Sequence, residues 1–111
     1  MRNLTNLLQE TIEELKRYGL KEEDVRWVGT RNGKYAISWE EFKKIAKKFN
    51  YDAGFGAWYV PLDLVVVGDD WWLERQEYDG AEWWEYRTTP KKQPDAKPFK
   101  RLDNLSDWKK G

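Results

Sequence analysis

The sequence contains neither cysteine nor histidine in its 111 residues. Without cysteine the chain can form no disulfide framework and no thiolate metal site. Without either residue it also lacks a Ser-His or Cys-His nucleophile system, an imidazole base and a His/Cys zinc site. These absences predict a protein that is not an enzyme and that carries no metal or cofactor. The lack of cysteine also fits a reducing cytoplasm.

Long apolar runs are absent as well. No stretch reaches the roughly 18 apolar residues that a transmembrane helix needs. The first residues lack the apolar core of a signal peptide. We therefore expect a cytoplasmic protein without a membrane partner, and a chain of this length predicts a single domain with a modest core.

The net charge is zero, because 20 basic residues balance 20 acidic ones, but the charges are unevenly distributed. Residues 61–86 carry a net charge of −7, and residues 87–111 carry +5. Such blocks are usually solvated surfaces, and the two segments could also attract each other within the chain. The acidic block argues against binding of duplex DNA there, so nucleic acid is not the expected partner.

Tryptophan is abundant, and four of the eight lie in a stretch that surrounds Asp79-Gly80. This dipeptide is typical of a two-residue type I′ hairpin turn, in which both central residues need positive φ. In the register that this turn sets, Arg75 faces Trp84 and Gln76 faces Trp83. The sequence therefore predicts a tryptophan-rich hairpin.

Each adjacent Trp-Trp pair of this hairpin must place one ring on each face, because side chains alternate along a strand. One face is predicted to carry Trp71, Leu73, Arg75, Glu77, Glu82, Trp84 and Tyr86. The other is predicted to carry Trp72, Glu74, Gln76, Tyr78, Ala81, Trp83 and Glu85. A sheet covered on one side buries only one set, so either something covers the second face or that face displays aromatic rings.

The spacing of apolar residues predicts an amphipathic helix over residues 4–18, with Asn3 or Thr5 as N-cap and Gly19 just after its end. A second helix is expected after Ser38, which forms a capping box with Glu41. Strands are predicted over residues 25–30 and 34–37, joined by a type I′ turn at Asn32-Gly33, and over residues 60–67, 71–78 and 81–87.

These elements predict an α+β fold, with an antiparallel sheet of about five strands and two amphipathic helices on one face. The sheet would consist of a hairpin and a three-strand meander, with the apolar run 62–67 as the best candidate for a central strand. Residues 1–88 would form the single domain. Residues 89–111 would form a Pro/Lys-rich tail that is either flexible or docked on a partner.

The aromatic hairpin also supplies the candidate binding residues. Tryptophan and tyrosine dominate interface energetics and stack on nucleobases. Arg75 could stack on Trp84 or grip a phosphate. Phe55 belongs to a segment between two glycines, which is either a loop that plugs the core or a flexible loop near a ligand. The predicted ligand- or partner-binding residues are Trp71, Trp72, Arg75, Tyr78, Trp83, Trp84, Tyr86 and Phe55.

Three interpretations of the rings stay open: core packing alone, core packing with a protein–protein or homodimer surface, and core packing with a nucleotide pocket. The predicted register also sets Glu74 opposite Glu85 and Glu77 opposite Glu82. Catalytic carboxylate pairs exist. On an exposed hairpin we interpret facing glutamates as tolerated surface pairs, so no catalytic residue is predicted.

Residues 63–75 and 77–86 resemble small uncharacterised proteins of phages and prophages of Gram-positive bacteria. The similarity extends back through residues 38–42 and 51–56. The resemblance implies no catalytic residue. It implies a setting, the cytoplasm of an infected bacterial host, in which small proteins often act by inhibiting a host defence protein or sequestering a nucleotide-like signal.

We therefore expect a non-catalytic, anti-defence accessory protein that binds a host protein or a nucleotide-like small molecule through an aromatic sheet face. One alternative is a structural module for homo-oligomerisation. Another is a nucleic-acid-binding or DNA-mimic regulator, suggested by the basic tail and by the acidic hairpin.

Overall fold

A computed structural model describes residues 4–54 and 60–100 and has an α+β fold. It contains two helices, a five-stranded antiparallel sheet and a separate two-stranded sheet. In chain order the elements are β1 (Thr5–Asn6), α1 (Leu7–Arg17), one turn of 3₁₀-helix (Glu22–Asp24), β2 (Trp27–Thr30), β3 (Ala36–Ile37), α2 (Trp39–Ala46), β4 (Asn50–Tyr51), β5 (Leu64–Val67), β6 (Trp71–Tyr78) and β7 (Ala81–Thr88).

The strand order of the large sheet is β3-β2-β5-β6-β7, and all its neighbours are antiparallel. The apolar strand β5 lies at the centre, as predicted, and β5, β6 and β7 form the predicted meander. The short strands β1 and β4 pair with each other apart from this sheet. Residues 90–100 form no helix or strand and are exposed.

Helix α1 begins three residues later than predicted, because Thr5 and Asn6 are paired with β4. The predicted N-cap at Thr5 is therefore wrong, and Asn3 lies outside the described residues. Asn6 caps the helix instead, and its side-chain oxygen accepts a hydrogen bond of 3.0 Å from the Gln9 N–H. The helix ends at Arg17, one residue before its predicted end, and Gly19 follows with the positive φ of +72° that suits a residue just after a helix.

Helix α2 begins with the predicted capping box. The Ser38 hydroxyl accepts a hydrogen bond of 3.1 Å from the Glu41 N–H, and the Glu41 carboxylate accepts one of 3.2 Å from the Ser38 N–H. This reciprocal pair satisfies two amides at the helix start.

The type I′ turn predicted at Asn32-Gly33 is wrong. Thr30 donates its N–H to the Tyr35 carbonyl, so four residues, 31–34, lie between the two residues of this bond, whereas a type I′ turn has two. Gly33 has positive φ, whereas Asn32 does not. The Asn32 side-chain oxygen instead accepts hydrogen bonds from the Thr30 hydroxyl and the Lys34 N–H. These bonds stabilise a longer loop than the dipeptide indicates.

Both helices pack on the same face of the sheet. Val28, Val66 and Leu73 form a row of cross-strand neighbours there, and each is 0% exposed. Leu7 and Leu15 of α1 and Phe42 and Ala46 of α2 complete the same core. Neither helix packs on the opposite face of the sheet. Tryptophans on that face are therefore not covered by a helix.

Candidate functional site

The tryptophan-rich hairpin has the register that its turn predicts. Asp79 and Gly80 have φ values of +51° and +88°, as a type I′ turn requires. Arg75 lies opposite Trp84, and Gln76 lies opposite Trp83. The two Trp-Trp pairs are therefore split between the two faces of the sheet.

One ring of each pair is buried beneath the helices. Trp71 and Trp84 are both in the core, as is Leu73 between them on the same face. The Trp84 indole N–H donates a hydrogen bond of 3.0 Å to the Thr11 hydroxyl of α1. We call this side of the sheet the helix-covered face.

Arg75 also lies on the helix-covered face, where its side chain is fully buried. Its guanidinium donates to the Glu82 carboxylate at 3.0 Å, the Tyr51 hydroxyl at 2.9 Å and the Glu10 carboxylate at 3.3 Å. It also lies 4.7 Å from the centroid of the Trp84 ring, which is the predicted cation–π pair. We call Glu10, Tyr51, Arg75 and Glu82 the buried charge cluster.

This cluster corrects the interpretation of Glu82 as part of an exposed pair with Glu77. The two residues are opposite each other, but Glu82 is only 3% exposed and bonds the Arg75 guanidinium. One of its carboxylate oxygens also accepts the Val60 N–H at 3.2 Å. The Arg75 Nε atom is buried without a hydrogen-bond partner among the described residues.

Burial also changes the acidity of the cluster. It raises the pKa of Glu10, although hydrogen bonds from Tyr51 and Arg75 act in the opposite direction. It raises the pKa of the Tyr51 hydroxyl as well, with the hydrogen bond that this hydroxyl donates to Glu10 at 2.6 Å as the next cause. The cluster joins α1, β4, β6 and β7 through its hydrogen bonds. We therefore interpret its role as structural: it holds these elements together.

The other face of the sheet carries the remaining rings. Trp72 and Trp83 alternate with the buried tryptophans, and Tyr78 lies on the same side near the turn. Trp27 joins them, because Trp27, Val67 and Trp72 are cross-strand neighbours in one row. Tyr78 is 76% exposed and Trp83 is 36% exposed. We call Trp27, Trp72, Tyr78 and Trp83 the aromatic face.

Hydrogen bonds fix the orientation of two of these rings. The Trp72 indole N–H donates to the Glu74 carboxylate at 2.8 Å, and the Trp83 indole N–H donates to the Glu85 carboxylate at 2.8 Å. Each bond joins residues two apart on the same strand, so each indole is anchored at its polar edge. Arg87 lies 3.4 Å from the Glu85 carboxylate and partly neutralises this pair. The rings are therefore ordered before any partner binds.

The structure divides the predicted binding residues between the two faces. Trp72, Tyr78 and Trp83 lie together on the aromatic face, whereas Phe55 lies outside the described residues. The others lie on the helix-covered face: Trp71, Arg75, Trp84 and Tyr86. Tyr86 stacks on Tyr18 of the α1 C-terminus at a centroid distance of 4.1 Å.

Trp27 is a member of the aromatic face that is not among the predicted binding residues. The alternation of β2 could have identified it. Val28 is the buried position of that strand, so Trp27 must point to the other side. What the sequence does not give is the pairing of β2 with β5, which places Trp27 in line with Trp72.

Four cavities lie beside described residues, and one of them is lined by Arg75 and by Gln76, the residue opposite Trp83. The most apolar has a volume of about 290 Å³ and lies between α2 and the β2–β3 connection, beside Tyr35 and Ile45. Three others have volumes between about 240 and 390 Å³. None of the four is lined by Trp72, Tyr78 or Trp83. The aromatic face is thus a surface and not the wall of one of these cavities.

Comparison with known proteins found no match to a protein-family model, to a curated protein or to a solved structure. Within the described residues, no helix is long and apolar enough to cross a membrane. The same residues contain no group of three or more acidic side chains placed to hold a metal ion.

Proposed function

We propose that this protein is a non-catalytic, phage-encoded accessory protein that acts in the bacterial host cytoplasm by binding a partner protein through the aromatic face. The observation that carries the proposal is the pair Trp72 and Trp83, which lie on the sheet face that receives neither helix. Trp83 is exposed and Trp72 is half-buried, and aromatic side chains at a surface are those that dominate protein interfaces.

The four described cavities are not lined by the rings of this face, which favours a protein over a nucleotide-like signal. A small ligand usually binds in a concave site that covers most of its surface. None of the four cavities described above is lined by Trp72, Tyr78 or Trp83, and Arg75, the candidate phosphate ligand, is already paired with two carboxylates. A macromolecular partner needs no enclosed pocket, only a complementary surface.

Charge indicates the chemistry of that partner. Glu74 and Glu85 flank the exposed rings, and Arg87 is the cation beside them. Residues 61–86 as a whole carry a net charge of −7. A host protein surface with arginine or lysine among apolar side chains would complement both features, because cations also bind the faces of indole rings. Inhibition of a host defence protein through this contact is the biological role that we propose.

Affinity capture from host lysate tests the proposal with matched variants. Trp72→Ala and Trp83→Ala each remove a ring of the aromatic face, and Tyr35→Ala removes a 77% exposed ring that lines the apolar cavity elsewhere. We expect a defined host protein to be retained by the wild type and by Tyr35→Ala, and to be lost from both tryptophan variants. Equal retention by all four proteins would contradict the proposal.

A parallel measurement tests the nucleotide-like ligand. Mono-, di- and cyclic nucleotides are added to the wild type while thermal unfolding and tryptophan fluorescence are recorded. We expect no shift in either signal. If a nucleotide raised the unfolding temperature of the wild type but not of Trp83→Ala, the partner at this face would be a nucleotide and not a protein.

A further inference from the structure

Among the described residues, the part of strand β7 from Trp84 to Thr88 is paired with another strand on one side only. Strand β7 is the last strand of the large sheet and is eight residues long, whereas the opposite edge, β3, has only two residues. Proteins usually shorten an edge strand or interrupt it with proline or a bulge, because unpaired backbone groups bind other strands. From Ala81 to Thr88 the pairing with β6 is continuous and contains no proline.

The register of the hairpin fixes which backbone groups point outward. Thr89 donates its N–H across the hairpin to the Asp70 carbonyl at 3.1 Å, whereas Glu82 donates its N–H in the other direction to the Ala53 carbonyl at 2.8 Å. The direction of the backbone N–H and C=O groups alternates along an antiparallel strand. These groups therefore point away from β6 at the even-numbered residues of β7.

Three residues therefore present free amides along this edge. Within residues 4–54 and 60–100, no acceptor is bonded to the N–H groups of Trp84, Tyr86 and Thr88. The Tyr86 carbonyl accepts only the guanidinium of its own neighbour, Arg87, at 3.3 Å. We call residues 84–88 the β7 edge.

We propose that the β7 edge pairs antiparallel with the β7 edge of a second copy of this chain, with Tyr86 opposite Tyr86 on the two-fold axis. In this register Trp84 lies opposite Thr88 of the second copy. All three free amides then bond outward-facing carbonyls, for a total of about six inter-chain hydrogen bonds.

Other registers are less favourable: an axis on Glu85 or on Arg87 sets like charges opposite each other, and an axis on Trp84 or on Thr88 lacks a free amide. A shift that centres the axis on Trp84 requires the Glu82 N–H, which already bonds Ala53. A shift that centres it on Thr88 requires an N–H from Pro90, which has none. The Tyr86-centred register therefore uses all three free amides and needs neither the Glu82 N–H nor an N–H at Pro90.

Charge favours a second copy over an unrelated strand. In the Tyr86-centred register Glu85 lies opposite Arg87 of the second copy, and the same pair repeats across the axis. Opposite charges at facing positions stabilise strand pairs, and both side chains are accessible, with exposures of 38% and 45%. Tyr86 also faces its own copy on the helix-covered side, beside the Tyr18 ring. The segment is thus complementary to itself.

This proposal concerns the edge of the sheet and does not depend on the partner proposed for the aromatic face. A dimer of this kind would continue the two aromatic faces as one sheet surface. Loss of the dimer in a variant that still captures the host protein, or the reverse, would separate the two proposals.

Sedimentation velocity over about 1 μM to 1 mM tests the dimer. Thr88→Pro removes an outward amide that has no role in pairing with β6, and Thr88→Ala is the matched control that keeps it. We expect the wild type and Thr88→Ala to associate, and Thr88→Pro to associate at least about tenfold more weakly. A monomeric wild type throughout this range, or equal association of both variants, would overturn the proposal.

Charge exchange tests the register without proline. Arg87→Glu sets carboxylate against carboxylate across the axis, and Glu85→Arg sets guanidinium against guanidinium. We expect each variant to be monomeric alone while circular dichroism shows a native fold. Their mixture should form a heterodimer, because both facing pairs are then opposite in charge. Homodimers of either variant, or no association in the mixture, would contradict the Tyr86-centred register.

Discussion

At the scale of single residues, Arg75 is a fully buried cation that holds two carboxylates in place. It compensates Glu82, whose side chain is as fully buried as its own, and contacts Glu10. Replacing Arg75 by methionine keeps the apolar volume but leaves a buried carboxylate without its cation. We expect a loss of about 3–5 kcal/mol in the free energy of unfolding.

The matched control is Arg87→Met, because Arg87 contacts carboxylates at the surface. An exposed pair of this kind contributes about 0–1 kcal/mol. Urea unfolding followed by tryptophan fluorescence measures both variants. Equal losses would show that the buried charge cluster does not stabilise the fold as we infer.

Glu10 gives a prediction about pH. Its pKa is raised in the folded protein, chiefly by burial, from an ordinary value of 4.5. The folded state therefore binds this proton more tightly than the unfolded state. Its contribution to stability is complete below about pH 4.5 and is lost as the pH rises through the raised folded value.

The comparison of wild type with Glu10→Gln isolates this effect, because glutamine does not titrate. We expect the stability of the wild type relative to Glu10→Gln to increase as the pH falls from about 8 to about 4. Urea unfolding at several pH values measures the difference. A difference that is constant, or that falls on acidification, would contradict the raised pKa.

At the scale of elements, the turn between β5 and β6 positions the aromatic hairpin. The Trp71 ring packs so closely on Gly68 that a Cβ atom there would overlap the ring. Gly68→Ala must displace a buried tryptophan, and we expect it to destabilise the protein by about 1–3 kcal/mol. Gly54→Ala is the control, because a Cβ atom at Gly54 meets nothing within 4 Å.

Thermal or urea unfolding of the two glycine variants measures this contrast. A Gly54→Ala variant should stay close to the wild type in stability. If Gly68→Ala were equally neutral, the Trp71 ring would not pack against the turn as we describe.

Local signals explain why much of the fold could be predicted. Asp79-Gly80 fixed the hairpin register, and Ser38 with Glu41 fixed the start of α2, because backbone geometry there depends on neighbouring residues alone. The prediction of a type I′ turn at Asn32-Gly33 was wrong because of other neighbouring residues. The hydroxyl of Thr30 and the N–H of Lys34 both donate to the Asn32 side-chain oxygen, and the two bonds stabilise a longer loop.

Long-range pairing explains what could not be predicted. The start of α1 depends on β4, more than forty residues away, which draws Thr5 and Asn6 into a strand. The buried charge cluster depends on Glu10 and Tyr51, which nothing in the hairpin sequence indicates. The alignment of Trp27 with Trp72 likewise follows only from the pairing of β2 with β5 and of β5 with β6.

At the scale of the whole molecule, the sheet has two chemically different sides. The helix-covered face buries one ring of each Trp-Trp pair, and the aromatic face orders the others with carboxylates. The acidic hairpin also contacts basic residues that follow it, since Lys91 lies 3.6 Å from Asp70 and Arg87 lies 3.4 Å from Glu85. Part of the opposing charge is thus compensated within the chain, while the exposed rings stay accessible.

Hydroxyl-radical footprinting of the tryptophans, read by mass spectrometry, tests the role of the aromatic face most directly. In the free protein we expect Trp83 and Trp72 to be oxidised much faster than Trp71 and Trp84. In the complex captured from host lysate, we expect Trp83 and Trp72 to become protected while the buried pair stays unreactive. Oxidation of Trp83 at the same rate in the free protein and in the complex would contradict the assignment of this face as the binding surface.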